Sequence, residues 1–378
     1  MKVYLDNAAT TPIAKEVVKE IEPYLSTYFG NPSSTHSFGR QTKNAIEINR
    51  KKIADYIHAK SNEIVFTSGG TEADNMALRC AVIDLKVERI ITTKLEHHAV
   101  GHTAENLKDL HNTEIIYLST DNYGNPSISE LEKYLNENKA TLVSLMHANN
   151  EIGTLLPIES VCNLCNKFEN VYFHSDTVQT MGHYKFNVKN LDIDFLTCSA
   201  HKLHGPKGIG FLFINSKLLI NPIITGGSQE RKQRGGTENL YGIVGLGKAM
   251  ELAFSNIEEH MNYVQNLKNY MIEGLLEIDN RISFNGAIES DNSLYTVLNV
   301  CFPNDICNSM LLFSLDIHGI AASGGSACSS GSTIGSHVLA ELPNQDKCQS
   351  VRFSFSRYNT KREIEYTLEK IRKIINKK

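Results

Sequence analysis

The sequence predicts an α/β protein: a larger part built on a mostly parallel sheet between helices, then a smaller α+β part. Three observations carry this. Short apolar runs alternate with longer amphipathic segments through most of the chain, as parallel strands joined by crossover helices require. The last hundred or so residues mix strands and helices without that alternation. Polar, glycine-bearing clusters follow the apolar runs, where open sheets gather their ligands.

The runs Ile64-Val65-Phe66, Arg89 to Thr93, Glu114 to Leu118, Thr141 to Leu145 and Val171-Tyr172-Phe173 are short, β-branched or aromatic, and stop where polar residues begin. They read as buried strands. Between them, Thr71 to Leu85, Ala99 to Leu110, Ile128 to Asn138 and Ile158 to Phe168 carry apolar residues at helical spacing and read as crossovers. Phe195 to Asn215 holds two apolar runs around Ser199 to Gly208, two strands separated by a functional loop. From Gly242 one long helical pattern continues past Met261 towards Leu276. Beyond it, Val297 to Phe302 and Val351 to Phe355 read as strands, and Asn308 to Leu315 and Thr360 to Ile375 as helices.

With 378 residues the chain has material for two or three folding units, and 41 % hydrophobic against 21 % charged residues excludes a disordered protein. A formal net charge of −4 argues against a polyanion-binding surface, so nucleic acid is not an expected partner. The first residues lack the apolar core of a signal peptide and no apolar stretch is long enough for a membrane span, so a cytoplasmic protein without a membrane partner is expected. Eight irregularly spaced cysteines read as reduced thiols rather than a disulfide framework.

Thr67-Ser68-Gly69-Gly70-Thr71-Glu72 lies between a strand and a helix, so its small residues admit an anion to free helix amides, or form an ordinary capped turn. His97, Asn150, Asp176 and Gln179 follow successive strands, where one ligand could touch all of them. His97-His98, His147 and Asp176 also invite a zinc reading, but no paired ligand spacing supports it. Lys202, in Ser199-Ala200-His201-Lys202, suits a desolvated amine able to form a Schiff base, although spacing alone favours a surface lysine. Gly205 to Gly210 lacks the ending of a nucleotide loop and fits a hairpin turn. Cys162 and Cys165 sit on a helix's apolar face and read as packing, as do Cys80, Cys198, Cys301 and Cys307 in apolar runs; Cys348 has no distinguishing context. Cys328 stands apart, in the Gly/Ser-rich stretch Ser323 to Ser332, and suits a mobile nucleophilic thiol.

These stretches, with Tyr4 to Pro12, Phe29 to Ser34, Met146 to Gly153, Gln229 to Asn239 and Arg352-Phe353-Ser354, resemble the cysteine desulfurases of the NifS/IscS-like group almost end to end. The resemblance implies a fold-type I transferase dependent on pyridoxal 5′-phosphate. Its large domain, 13–255, would carry a seven-stranded sheet, and its small domain, 256–378, would pack with segment 1–12 and carry the catalytic cysteine. It implies the cofactor as a Schiff base on Lys202, Asp176 on the pyridine nitrogen, Gln179 and Asn150 near the phenolic oxygen, and His97 stacked on the ring and assisting proton transfer. Gly70, Thr71, Ser199 and His201 would hold the phosphate, and Thr237 would reach the phosphate of the partner in a homodimer. Arg352, with Asn150 alongside, would clamp the carboxylate of L-cysteine. Cys328 would take the sulfur as a persulfide, leaving alanine, and pass it to a U-type iron–sulfur scaffold protein. No resident metal is implied, although Cys328 can transiently ligate an iron–sulfur cluster. The segment through Leu339 resembles the long-loop group. A selenocysteine lyase, or another enzyme of this fold, would keep the cofactor residues without needing Cys328. Thr177, Ala200 and Lys232-Gln233 depart from the usual pattern, and none removes a catalytic group.

Overall fold

The computed structural model describes residues 1–307, 310–324, 335–343 and 347–375. Cys328, the first residues of the helix expected from Asn308, and the Lys-rich terminal tripeptide lie outside these. The chain runs β1 (Val3–Tyr4), α1 (Lys15–Ser26), α2 (Ser37–Tyr56), β2 (Ile64–Thr67), α3 (Gly70–Ile83), β3 (Arg89–Thr92), α4 (His98–His111), β4 (Glu114–Tyr117), α5 (Ile128–Leu135), β5 (Thr141–Ser144), α6 (Ile158–Cys165) and β6 (Val171–Asp176). It continues through α7 (Val188–Leu191), β7 (Phe195–Ser199), β8 (Gly210–Ile214), α8 (Leu240–Phe254), α9 (Ile257–Ile278), β9 (Ser283–Asn285), β10 (Val297–Pro303), α10 (Leu311–Ile317), β11 (Ile320–Ala321), α11 (His337–Ala340), β12 (Cys348–Ser354) and α12 (Lys361–Ile375).

Seven strands form one sheet in the order β2-β8-β7-β6-β5-β3-β4, parallel except that β8 runs antiparallel to both neighbours. Successive strand residues point to opposite faces, and the core divides accordingly. Phe66, Ile91 and Val143 pack on one side with α1, α2, α6 and α8. Val65, Ile90 and Leu142 pack on the other with α3 and α4. The direction of strand addition reverses between β3 and β5, which opens a crevice at their carboxyl ends.

The second core gathers Val264, Leu267 and Met271 of α9, Val300 and Phe302 of β10, Phe353 of β12, and Ile364 and Ile371 of α12. Val3 and Leu5 from the chain's start join it, because β1 pairs in parallel with β11. β9, β10 and β12 form an antiparallel sheet beside these helices.

The structure corrects two expectations and adds two helices. The long helix expected from residue 242 is two helices: Ser255 and Asn256 interrupt it, Asn256 with φ −141° and ψ 44°. Apolar periodicity continues across the break, which hid it. Helices α1 and α2 had no counterpart in the sequence reading. Finally, Cys301 and Cys348 are bridged, with Cα atoms 5.4 Å apart, rather than both being reduced. Antiparallel pairing of β10 with β12 brings together residues that are 47 positions apart, a proximity that spacing alone cannot reveal.

The hairpin reading of Gly205 to Gly210 holds: β7 and β8 are adjacent antiparallel strands, and the intervening loop carries Lys202. Gly210 is required by close approach, since a Cβ there would lie 2.9 Å from the Gly69 Cα and 2.2 Å from the Cys198 carbonyl oxygen. The glycine turn before α3 is thereby pressed against the start of β8. Among the described residues no helix is long and apolar enough to cross a membrane.

Candidate active site

The ends of β5, β6 and β7, the turn after β3 and the start of α3 surround a cavity of about 220 Å³, closed by Ala8 and Ala9 from the N-terminal segment and by Arg352 from β12. Gly70, Thr71, His97, Asn150, Asp176, Gln179, Ser199, His201, Lys202 and Arg352, all expected from the sequence, line it together. Thr237 does not; it is exposed on a loop tied down by Arg234, whose Nε donates to Glu72 at 2.9 Å. The His147 of the zinc reading turns away. Its Nδ1 is 2.9 Å from Thr180 Oγ1, and its ring packs edge-on against Tyr184 and Phe186 in a separate cleft. No group of three metal-ligating side chains occurs among the described residues.

Lys202 ends a 3-10 turn, Ala200–Lys202, and its Nζ donates to the Ala8 carbonyl and, at 2.9 Å, to that of Ala9. Gln179 also donates to Ala8 O, at 3.1 Å. These carbonyls carry no side-chain signal, so the sequence reading did not anticipate them. His97 caps α4, its Nδ1 accepting from Ala99 N at 3.1 Å, which orients the ring towards the cavity. His201 Nδ1 lies 3.1 Å from Thr10 Oγ1. Arg352 is fully buried; its Nη1 donates to Asn150 O at 2.8 Å and its Nη2 to Asp6 Oδ1 at 2.9 Å.

Asp176 is the last residue of β6, three positions beyond the expected strand end, and its Oδ1 accepts from Val178 N at 2.8 Å. The strand extends through polar residues because their partners are buried with them: His174 meets Ser144 Oγ at 2.9 Å and Thr197 Oγ1 at 3.1 Å. Asp74, one turn into α3 and also lining the cavity, was missed. Its signal was a carboxylate four residues after Gly70, on the face the glycines open. Burial pushes the Asp74 and Asp176 carboxyls up to about 7, and Asp74 adds to the upward push on Asp176. Burial raises Glu96 as well, reinforced by both aspartates. Three carboxyls thus crowd a dry site that favours only part of their full negative charge. Burial also pushes the His97 and His174 imidazoles down to about 4, so both are neutral near pH 7. The 3.4 Å contact between His174 and Asp74 is therefore no charged ion pair near pH 7, because burial keeps the imidazole neutral.

Burial has a measurable consequence at His147, whose imidazole is pushed down from 6.5 to about 4. Between those values the unfolded chain binds a proton that the folded chain refuses, so this residue's contribution is intact above pH 6.5 and is lost as pH falls towards 4. The loss is on the order of 3 kcal/mol. The gap in melting temperature between pH 7 and pH 4 is expected to be smaller in His147→Gln than in the unmodified protein. Equal gaps would refute the assignment.

The cavity fits an elongated anion with a basic ring nitrogen. At one end, α3 starts at Gly70 with no side chain capping its N-terminus, beside Ser199 and His201. A Cβ on Gly70 would meet Val178 Cγ2 at 2.8 Å, so backbone is brought close where a phosphate would need amides. The amine of Lys202 and the buried carboxyl of Asp176 complete the wall.

Fold and crevice are those of an open α/β protein with its site at the carboxyl ends of the strands. Residues 3–367 match the family model for aminotransferase class-V, and the chain belongs to that family. It is 45 % identical over 383 residues to the cysteine desulfurase IscS of Dictyoglomus turgidum, covering 100 % of this chain and 95 % of that one. It is 45 % identical to the IscS of Methanosarcina thermophila, covering 99 % and 92 %. The solved structure of a NifS-like protein superposes with a TM-score of 0.92 at 35 % identity, covering 100 % of both chains. SspA, solved in complex with cysteine, gives 0.79 at 33 %, covering 95 % of this chain and 100 % of that one.

Proposed function

We propose that this chain is a cysteine desulfurase that converts L-cysteine to L-alanine and passes the sulfur, as a persulfide on Cys328, to an acceptor protein for iron–sulfur cluster assembly. The observation that carries the reading is the meeting of Lys202, Asp176, His97 and Arg352 around one cavity at the crevice. Pyridoxal 5′-phosphate, when bound, supplies an electron sink for the bonds at the substrate's α-carbon. Gly70, Thr71, Ser199 and His201 would hold its phosphate, Asp176 its ring nitrogen, and Gln179 and Asn150 its phenolic oxygen, while His97 would contact the ring and Lys202 would attach it.

Arg352 binds the substrate carboxylate, with Asn150 alongside. Lys202 Nζ takes the substrate's α-proton, and the neutral imidazole of His97 assists proton transfers. The Cys328 thiolate attacks the substrate sulfur, so an S–S bond forms as the C–S bond breaks and its electron pair stays with the carbon fragment. Protonation of that fragment yields alanine. The acceptor's thiol then takes the outer sulfur, and a U-type scaffold is the acceptor class we propose.

We further propose a division into 13–255 and 256–378, the latter joined by 1–12, supported by the two cores and by β1 pairing with β11. A cytoplasmic homodimer is proposed, in which Thr237 reaches the partner's phosphate. Exposed Phe29, Phe38, Ile223, Ile224 and Tyr241 support burial against a second copy.

The test is the visible spectrum before and after L-cysteine, with sulfide assayed in the same cuvette under thiol reductant. A yellow protein whose band shifts as sulfide appears is expected. A protein that stays colourless after incubation with pyridoxal phosphate would overturn the reading.

A further inference from the structure

Arg352 is 1 % exposed, yet among the described residues only two of its five N–H donors are engaged, one by a backbone carbonyl and one by Asp6, and its Nε is buried without a partner there. Its guanidinium lines the cavity. Such a group has donors left for an incoming carboxylate, but its orientation rests on few contacts. Asp6 supplies the one side-chain contact among them. It follows β1 and bridges to Ser354 on β12, so its backbone is fixed relative to the strand that carries Arg352. The same oxygen, Asp6 Oδ1, accepts from Ser323 Oγ at 2.8 Å. Ser323 in turn exchanges both backbone hydrogen bonds with Arg352, at 3.2 and 2.6 Å.

We infer that Asp6 is a positioning residue for substrate: its Oδ1 fixes the Arg352 guanidinium so that the remaining N–H donors face the substrate carboxylate, and it ties that arginine to Ser323, five positions before Cys328. This rests on the desulfurase reading and adds to it a residue that never touches substrate. A role in position differs from a role in charge. Asparagine at position 6 keeps the accepting oxygen without the charge, whereas glutamate keeps the charge and displaces the oxygen by one methylene.

The experiment compares the unmodified holoenzyme with Asp6→Asn and Asp6→Glu, measuring kcat and KM for L-cysteine and, by calorimetry, the affinity for L-alanine. Asp6→Glu is expected to raise KM and weaken alanine binding about tenfold or more, while kcat moves much less. Asp6→Asn is expected to stay within about threefold of the unmodified enzyme in all three, since the amide keeps an accepting oxygen where the carboxylate had one. The reverse pattern, with glutamate neutral and asparagine impaired, would overturn the inference in favour of charge balance. Unchanged KM in both would overturn it outright. Failure of the desulfurase reading looks different, since the unmodified enzyme would then release no sulfide.

Discussion

Lys202→Ala is expected to abolish sulfide release from L-cysteine, by on the order of 10³-fold or more, while leaving the fold intact. Lys202 is the one amine among the residues lining the cavity. The other basic wall groups cannot replace it. Arg352 does not give up a proton in proteins. The His97 and His201 rings are pushed down to about 4 by burial and lack an amine's nucleophilicity. The turn holds its shape without the lysine, because Ala200 N donates to Ile209 O at 3.1 Å and Gly205 N to Ala200 O at 2.9 Å. Lys202→Arg is expected to be equally inactive, which separates the need for a titratable amine from the need for a cation. Sulfide assay, visible spectrum and melting temperature together check this. An alanine variant with a tenth or more of normal turnover would sink the assignment.

Cys328→Ala is expected to cost a comparable factor and to leave L-cysteine binding in place. The other seven cysteines cannot take its place. Cys80, Cys162, Cys165, Cys198 and Cys307 are buried, and Cys301 and Cys348 are bonded to each other. Burial pushes the Cys80 and Cys162 thiols up to about 12 and raises Cys165 and Cys198 too, so these thiols stay protonated and inert near pH 7. Cys328 thus has no evident substitute. Mass spectrometry after brief exposure to L-cysteine, without reductant, is expected to find one added sulfur on Cys328 and none in the alanine variant. Sulfide release that survives the substitution would point to a lyase needing no enzyme persulfide.

The parallel strands were legible because β-branched runs buried on both faces need no partner knowledge to be recognised. His97, Asp176 and Lys202 were legible as strand-end polar residues, and the resemblance supplied Arg352, whose place at the cavity depends on β12 crossing to the large sheet's crevice. What stayed hidden depends on pairing distant in sequence. The Ala8 and Ala9 carbonyls meet Lys202 from 194 and 193 positions away, and Cys301 meets Cys348 only through strand register. Helix α1 was hard to see for a local reason: it contains Pro23 and buries only Val17 fully. The boundary at Ser255-Asn256 escaped because hydrophobic period reports the face of a helix, not its continuity.

The clasp between Asp6 and Arg352 joins residues 346 positions apart, and Asn7 Nδ2 reaches Ser354 O across 347. A chain folding as it is synthesised orders its N-terminal parts first, and contacts of such span are the slowest to form. Strands β2 to β8, with Asp176 and Lys202, can assemble before β12 has been made; β1 has no β11 to pair with until residue 320 is in place. In the nascent protein Asp176 and Lys202 can therefore be in place well before Arg352, and Val3 and Tyr4 must wait, unpaired, for Ile320 and Ala321 to arrive.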